Sequence, residues 1–111
     1  MRPIDQLEQT IAERKAARDA GQSYTAKLLA AGVEKIGAKV IEEAAEVVEA
    51  AGEPGDAGRS HTISEAGDVL YHLLVLLAAR DIALHEVEAA LAQRFPMSGL
   101  AEKASRQHKD S

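Results

Sequence analysis

Five carboxylates in two clusters carry the chemistry that this sequence can do. Glu42, Glu43 and Glu46 form an EExxE run, and Glu65 and Asp68 form an ExxD pair further along. Side chains three or four positions apart on a helix project from the same side. If each cluster lies on a helix, each offers convergent oxygen ligands, and two such helices face to face make an oxygen-only cage. A cage of that kind suits a hard divalent cation, Mg²⁺ or Mn²⁺, and through it phosphate groups.

The segments around these acids read as helices. From Val33 to Ala51, the residues Val33, Ile36, Val40, Ala44, Val47 and Ala51 recur at steps of three and four, which marks a packed face. On a wheel of about 100° per residue, Lys39, Glu43 and Glu46 gather on the flank of the stripe Ile36, Val40, Ala44, Val47. Glu42 and Glu49 lie further toward solvent. The next acidic helix is expected to open at Thr62, with Glu65 at the capping-box spacing, and to run to about Arg80. Along it Glu65, Asp68 and His72 share a strip opposite Leu70, Leu74 and Leu77, and that strip continues into Val75 and Ala79. Acids on a semi-buried strip must find a cation or hydrogen bonds, or shift their pKa. Between the two acidic helices, Gly52 to His61 (GEPGDAGRSH) holds three glycines and a proline and reads as a loop.

Three more helices are expected. Pro3 to about Ala20 carries the stripe Ile4, Leu7, Ile11, Ala12, with Pro3 suited to a first turn and Gly21 to a stop. Ser23 to Ala31 is short and ends at Gly32, and Ala83 to Phe95 is stopped by Pro96. A further turn is expected at Ser98 to Ser105. The chain has 111 residues, which predicts a single all-α domain over residues 1–106, with 107–111 a polar tail expected to be disordered. Scarce aromatics (two Tyr, one Phe, no Trp) favour helix over sheet. Val69 to Ala79 is apolar nearly all round, so it should be buried on most sides. In so small a protein a second copy of the chain is the simplest cover, which makes a homodimer the expected assembly.

Composition removes several function classes. With no cysteine, disulfides, thiolate catalysis and thiolate zinc sites are excluded. A net charge of −5 argues against a partner such as a nucleic-acid polymer, which needs a basic face. The opening MRPIDQLEQT has no apolar stretch of signal-peptide type, and Val69 to Ala79 is too short an apolar run to span a bilayer. No membrane partner is expected, and a soluble cytoplasmic protein is the expectation.

The spacing alone leaves two readings of the acids open, a metal site and a solvated face. Glu65 alone has a plainer use as a capping-box residue, and Asp68 as a first-turn acid favoured by the helix dipole. Beyond the acids, the chain resembles the phosphoribosyl-ATP pyrophosphatases, small α-helical enzymes of histidine biosynthesis within the MazG-like nucleotide pyrophosphatase superfamily. SYTAKLLAAG (Ser23 to Gly32), EKIGAKVIEEAAEVV (Glu34 to Val48), EAGDVLYHLLVLLA (Glu65 to Ala78) and SGLAEKASR (Ser98 to Arg106) carry the resemblance. ExxE followed by ExxD marks only the superfamily, whereas YTAKLL, the YH after the acidic pair and SGLAEKASR point to the one enzyme. Two departures stand out: the loop Gly52 to His61 looks longer and richer in glycine than the family's usual connection, and Gly37 and Gly67 sit inside helices.

The resemblance implies a MazG-like helical bundle whose core is completed by homodimerisation. It also implies Mg²⁺-assisted hydrolysis of phosphoribosyl-ATP to phosphoribosyl-AMP and pyrophosphate, by attack of water at the α-phosphate. It puts Glu43, Glu46, Glu65 and Asp68 as metal ligands and makes Glu42, Glu43 and Glu46 the catalytic acids, Glu42 being a ligand, an outer acid or a general base. Lys27, Lys39, Lys103, Arg106 and His72 are its candidates for substrate contact. Plainer uses compete: an i,i+4 ion pair for Lys39, a hydrogen-bonded core residue for His72, an N-cap for the Ser98–Gly99 turn, packing for Tyr24 and Tyr71. Tyr24 is also a candidate for stacking on a base. His61, His85 and His108 show no partner spacing. Two other readings of the whole chain are a house-cleaning nucleoside-triphosphate pyrophosphatase of the same superfamily and a non-catalytic helical dimerisation module.

Overall fold

The computed structural model describes residues 1–17 and 23–95. They form five helices, with no strand among the described residues: α1 Pro3–Ala17, α2 Tyr24–Ala31, α3 Val33–Ala51, α4 Gly55–Ala79 and α5 Leu84–Arg94. The all-α class expected from composition and periodicity is what the chain adopts. Residues 98–105, expected to form a last turn, and the tail 107–111 lie outside the described residues.

α3 and α4 make an antiparallel hairpin, and α1 and α2 pack across it. Ile11, Leu28, Ile36, Leu74 and Val75 form the buried cluster, with Ile4, Leu7, Leu29 and Tyr71 packed against it. Ile4, Leu7 and Ile11 on α1 and Ile36 on α3 come from the stripes that periodicity marks. Ser23 caps α2 by accepting from the Ala26 N–H at 3.1 Å, and Gly32, at φ +95°, turns the chain directly into α3. Lys15 reaches across from α1 to donate to the Ala78 carbonyl at 2.6 Å, close to the end of α4. A cation there satisfies a terminal carbonyl and complements the helix dipole.

The segment Gly52 to His61 corrects the sequence reading. Only Gly52, Glu53 and Pro54 join the two helices, and α4 begins at Gly55. Two of the segment's three glycines have a use that composition does not reveal. Gly55 takes φ +73°, open to a residue without a side chain. At Gly58 a Cβ would stand 2.1 Å from the Glu53 carbonyl oxygen, so the first turn of α4 presses against the end of the connection. Thr62 is therefore an interior residue and not a helix start; its hydroxyl donates to the Gly58 carbonyl at 2.7 Å. The connection is short, which fixes α4 against α3 closely.

Val69 to Ala79 lacks part of its cover in a single chain. Within one chain this stretch is not covered all round: His72, Leu74 and Val75 are buried, but Leu70 and Leu73 are exposed. On α3, Ile41 and Val48 are exposed as well.

Candidate metal centre

Because α4 runs through residues 55–61, the strip that holds its acids is longer than expected. His61, Glu65, Asp68 and His72 follow one another at steps of four, three and four along it. α3 lies alongside, and its flank presents Glu43 and Glu46. Carboxylate oxygens of Glu43, Glu65 and Asp68 lie within 4.8 Å of one another, as do those of Glu42, Glu43 and Glu46. Glu43 belongs to both groups, so it is the residue on which α3 and α4 converge.

Burial is graded across the cluster. Glu43 is only 8 % exposed, Glu46 and Glu65 are half-buried, and Glu42 and Asp68 face solvent. Burial pushes the Glu43 carboxyl up to about 7, helped by a hydrogen bond to Glu46 and by the charges of Glu46, Asp68 and Glu65. Oε2 of Glu43 and Oε2 of Glu65 are both buried without a hydrogen-bond partner. Such oxygens cost free energy as they stand. A divalent cation would relieve both the missing partners and the mutual repulsion. Carboxylate oxygens within 4.8 Å of one another are close enough to share one small divalent cation. The donor set, oxygen only and anionic, fits Mg²⁺ or Mn²⁺ and does not fit a soft metal.

Beside the cluster opens a cleft of about 640 Å³ lined by Glu46, Glu49, Gly52, Glu53, His61 and Glu65. Four of those six residues carry carboxylic acids, so a polyanion needs accompanying cations to enter it.

Comparison with known proteins places the chain in a family. The family model described as phosphoribosyl-ATP pyrophosphohydrolase matches residues 4–95. The chain belongs to the phosphoribosyl-ATP pyrophosphohydrolase family. Among its curated relatives, a phosphoribosyl-ATP pyrophosphatase of Rhodopirellula baltica is 56% identical over 94% of this chain and 86% of its own. One of Dinoroseobacter shibae is 56% identical over 96% of this chain and 100% of its own. Phosphoribosyl-ATP pyrophosphatase 1 of Bradyrhizobium diazoefficiens is 55% identical over 93% of each. The resemblance drawn from YTAKLL and the YH after the acidic pair lies inside the matched span. SGLAEKASR lies beyond it.

The other candidates of this family member fall in different places. Lys39 stands on the acidic flank and pairs with Glu42 at 3.3 Å, an i,i+3 contact, and that bond holds its ammonium above the usual lysine range. Lys27 is exposed on α2. Lys103, Arg106 and the Ser98–Gly99 turn lie outside the described residues. His72 is 6 % exposed and both its nitrogens are engaged. Nδ1 donates to the Asp68 carbonyl at 2.9 Å, and Nε2 accepts from the Tyr24 hydroxyl at 3.2 Å; the ring hydrogen belongs on Nδ1 because a carbonyl can only accept. Tyr71 packs edge-on against this imidazole at 4.9 Å and its hydroxyl meets that of Thr25. His72 thus ties α2 to α4 behind Asp68, while Tyr24 keeps about half its surface open.

One residue at the centre escapes a reading of the sequence. His61 Nδ1 lies 2.9 Å from Glu53 Oε1, and its Nε2 lies 3.3 Å from Glu65 Oε1. Its bond to Glu53 holds the imidazole above the usual histidine range. The signal that finds it is the i,i+4 step from His61 to Glu65, which has no meaning while residues 52–61 are taken as a loop.

Proposed function

We propose that this chain hydrolyses phosphoribosyl-ATP between its α and β phosphates, releasing phosphoribosyl-AMP and pyrophosphate, at the acidic centre between α3 and α4. Histidine biosynthesis is the pathway in which that reaction serves. The observation that carries the reading is the convergence of Glu43 with Glu65 and Asp68, with two buried carboxylate oxygens left without partners, in a chain matched to this family over residues 4–95. Glu43, Glu46, Glu65 and Asp68 hold Mg²⁺, with Mn²⁺ as a substitute. A cation held there would supply charge neutralisation of the phosphate oxygens, polarisation of the α-phosphorus and a more acidic water. Glu43, whose neutral form burial favours, would bind the cation as its carboxylate. Glu42, at the open end of the α3 group, is the carboxylate available to take the proton of the attacking water. Lys39 is free to leave Glu42 for a phosphate, since an exposed ion pair is worth little. Lys27, Lys103, Arg106 and Tyr24 are the remaining candidates for holding the substrate.

The working form we propose is a soluble cytoplasmic homodimer, with the second copy covering Ile41, Val48, Leu70 and Leu73.

The test is direct. Purified protein with Mg²⁺ is given phosphoribosyl-ATP or a panel of nucleoside triphosphates, and pyrophosphate release is followed. Turnover confined to phosphoribosyl-ATP is the expected result; preference for free triphosphates would replace it with a house-cleaning nucleotide pyrophosphatase, and no turnover of any substrate would leave a non-catalytic module. Glu46→Gln and Asp68→Asn should each abolish turnover while the helical fold persists by circular dichroism. Near-normal rates in both variants would remove the ligand assignment.

A further inference from the structure

We infer that His61 is a positioning residue for the acidic centre: it holds Glu65 by one carboxylate oxygen, braced by Glu53, and leaves the other oxygen for a cation. The inference builds on the metal-centre reading given above and adds to it a residue outside the acidic signature.

The geometry has three parts. Glu53 sits in the connection between α3 and α4, where its N–H donates to the Ala50 carbonyl at 3.1 Å. Gly58 crowds it so closely that a Cβ there would overlap the Glu53 carbonyl, which fixes this point of the chain against α4. From Glu53 the contact passes through the imidazole, 2.9 Å on one side and 3.3 Å on the other, to Oε1 of Glu65. Nδ1 is hydrogen-bonded to Oε1 of Glu53, and Nε2 faces Oε1 of Glu65 at ion-pair distance. Oε2 of Glu65 is the buried oxygen without a partner. One oxygen is thus anchored and one is free, the arrangement that orients a ligand before its metal arrives. The anchor also selects among the rotamers of a long side chain whose freedom would otherwise be lost on binding.

A positioning role and a mere charge near the site predict opposite signs. If His61 acted only as a positive charge it would repel a divalent ion, and removing it would tighten cation binding. If His61 orients Glu65, removing it loosens binding, by about tenfold or more for an outer partner of a metal ligand.

The experiment titrates the full-length protein with Mn²⁺ alone and follows free Mn²⁺ by electron paramagnetic resonance. Wild type, His61→Ala and His61→Gln are compared, with circular dichroism as the check on folding. His61→Ala is expected to weaken Mn²⁺ binding about tenfold. His61→Gln, which keeps an N–H donor without the charge, is expected to recover most of the loss. Binding by His61→Ala as tight as wild type, or tighter, overturns the inference while the metal centre stands. No Mn²⁺ binding by wild type itself would overturn the metal centre, and the positioning role with it. Should His61→Ala fail to fold, His61→Gln decides by sign: binding no tighter than wild type upholds the role, and tighter binding refutes it.

Discussion

A carboxyl group that titrates near neutrality gives the centre a pH dependence of its own. The Glu43 carboxyl is raised to about 7 chiefly by burial, so folding favours its neutral form. A group whose folded pKa lies above its unfolded value contributes stability below the unfolded value, and that contribution disappears as the pH climbs through the folded one. For Glu43 the window runs from about 4.5 to about 7. Metal-free protein should therefore carry a growing penalty across that window, and Glu43→Gln, neutral at every pH, should not. Thermal melts of both should show the variant gaining on wild type between about pH 5 and about pH 8; a constant gap would mean that Glu43 titrates normally in the fold. Mn²⁺ must displace the same proton, so its affinity for wild type should rise as the pH rises through about 7. Much of this was legible residue by residue. The helical wheel put Glu43 and Glu46 on the flank of the packed stripe and Glu42 outside it, and the burial follows that order. His61 was not legible, because its partner Glu65 is four residues away only along a helix that the local composition conceals.

That concealment belongs to the element. Three glycines and a proline within ten residues ordinarily mark a loop, yet α4 starts at Gly55. Composition counts the helix propensity that Gly58 forfeits, and it cannot see that a larger residue would strike Glu53. Tertiary contact decides, as it commonly does against propensity. Glycines inside these helices should then fall into two groups. Gly58→Ala should lower stability by about 1 to 3 kcal/mol, the usual cost of forcing atoms into a closed contact. Gly37 has nothing within 4 Å of an added Cβ, so Gly37→Ala should raise stability by about 1 kcal/mol through helix propensity. Urea unfolding of the two variants measures both. If Gly58→Ala proved as harmless as Gly37→Ala, the first turn of α4 would not press on Glu53, and the bracing of His61 would lose its base. By contrast the bounds of α3 were readable from sequence to the residue, since an unbroken three-and-four pattern between Gly32 and Gly52 leaves little choice.

At the scale of the molecule, one chain leaves an unusual share of apolar side chains uncovered. Ile41 is 73% exposed, Val48 72%, Ile63 59% and Leu70 47%, and α5 buries no residue at all. Two explanations compete. α4 is long and apolar enough to cross a membrane by length and composition, but it carries Glu65 and Asp68 in its interior, and the neighbouring α3 exposes an apolar row of its own beside Glu42 and Glu49. A bilayer does not solvate such acids cheaply. A second copy of the chain can cover the apolar rows of both helices and leave the acidic flank in water, which is how a small domain gains the core that it lacks alone. Light scattering on the purified protein should accordingly give the mass of a dimer. Ile41→Glu or Leu70→Glu, each placing a charge in the contact, should shift the mass toward the monomer and lower the melting temperature together, since folding and association are linked when the shared core is large. Glu49→Gln, on the open side of α3, should change neither. A wild-type monomer that floats with lipid vesicles would instead favour the membrane. A monomer that stays in solution would mean that these side chains are simply wet, and the acidic centre would then have to work from one chain alone.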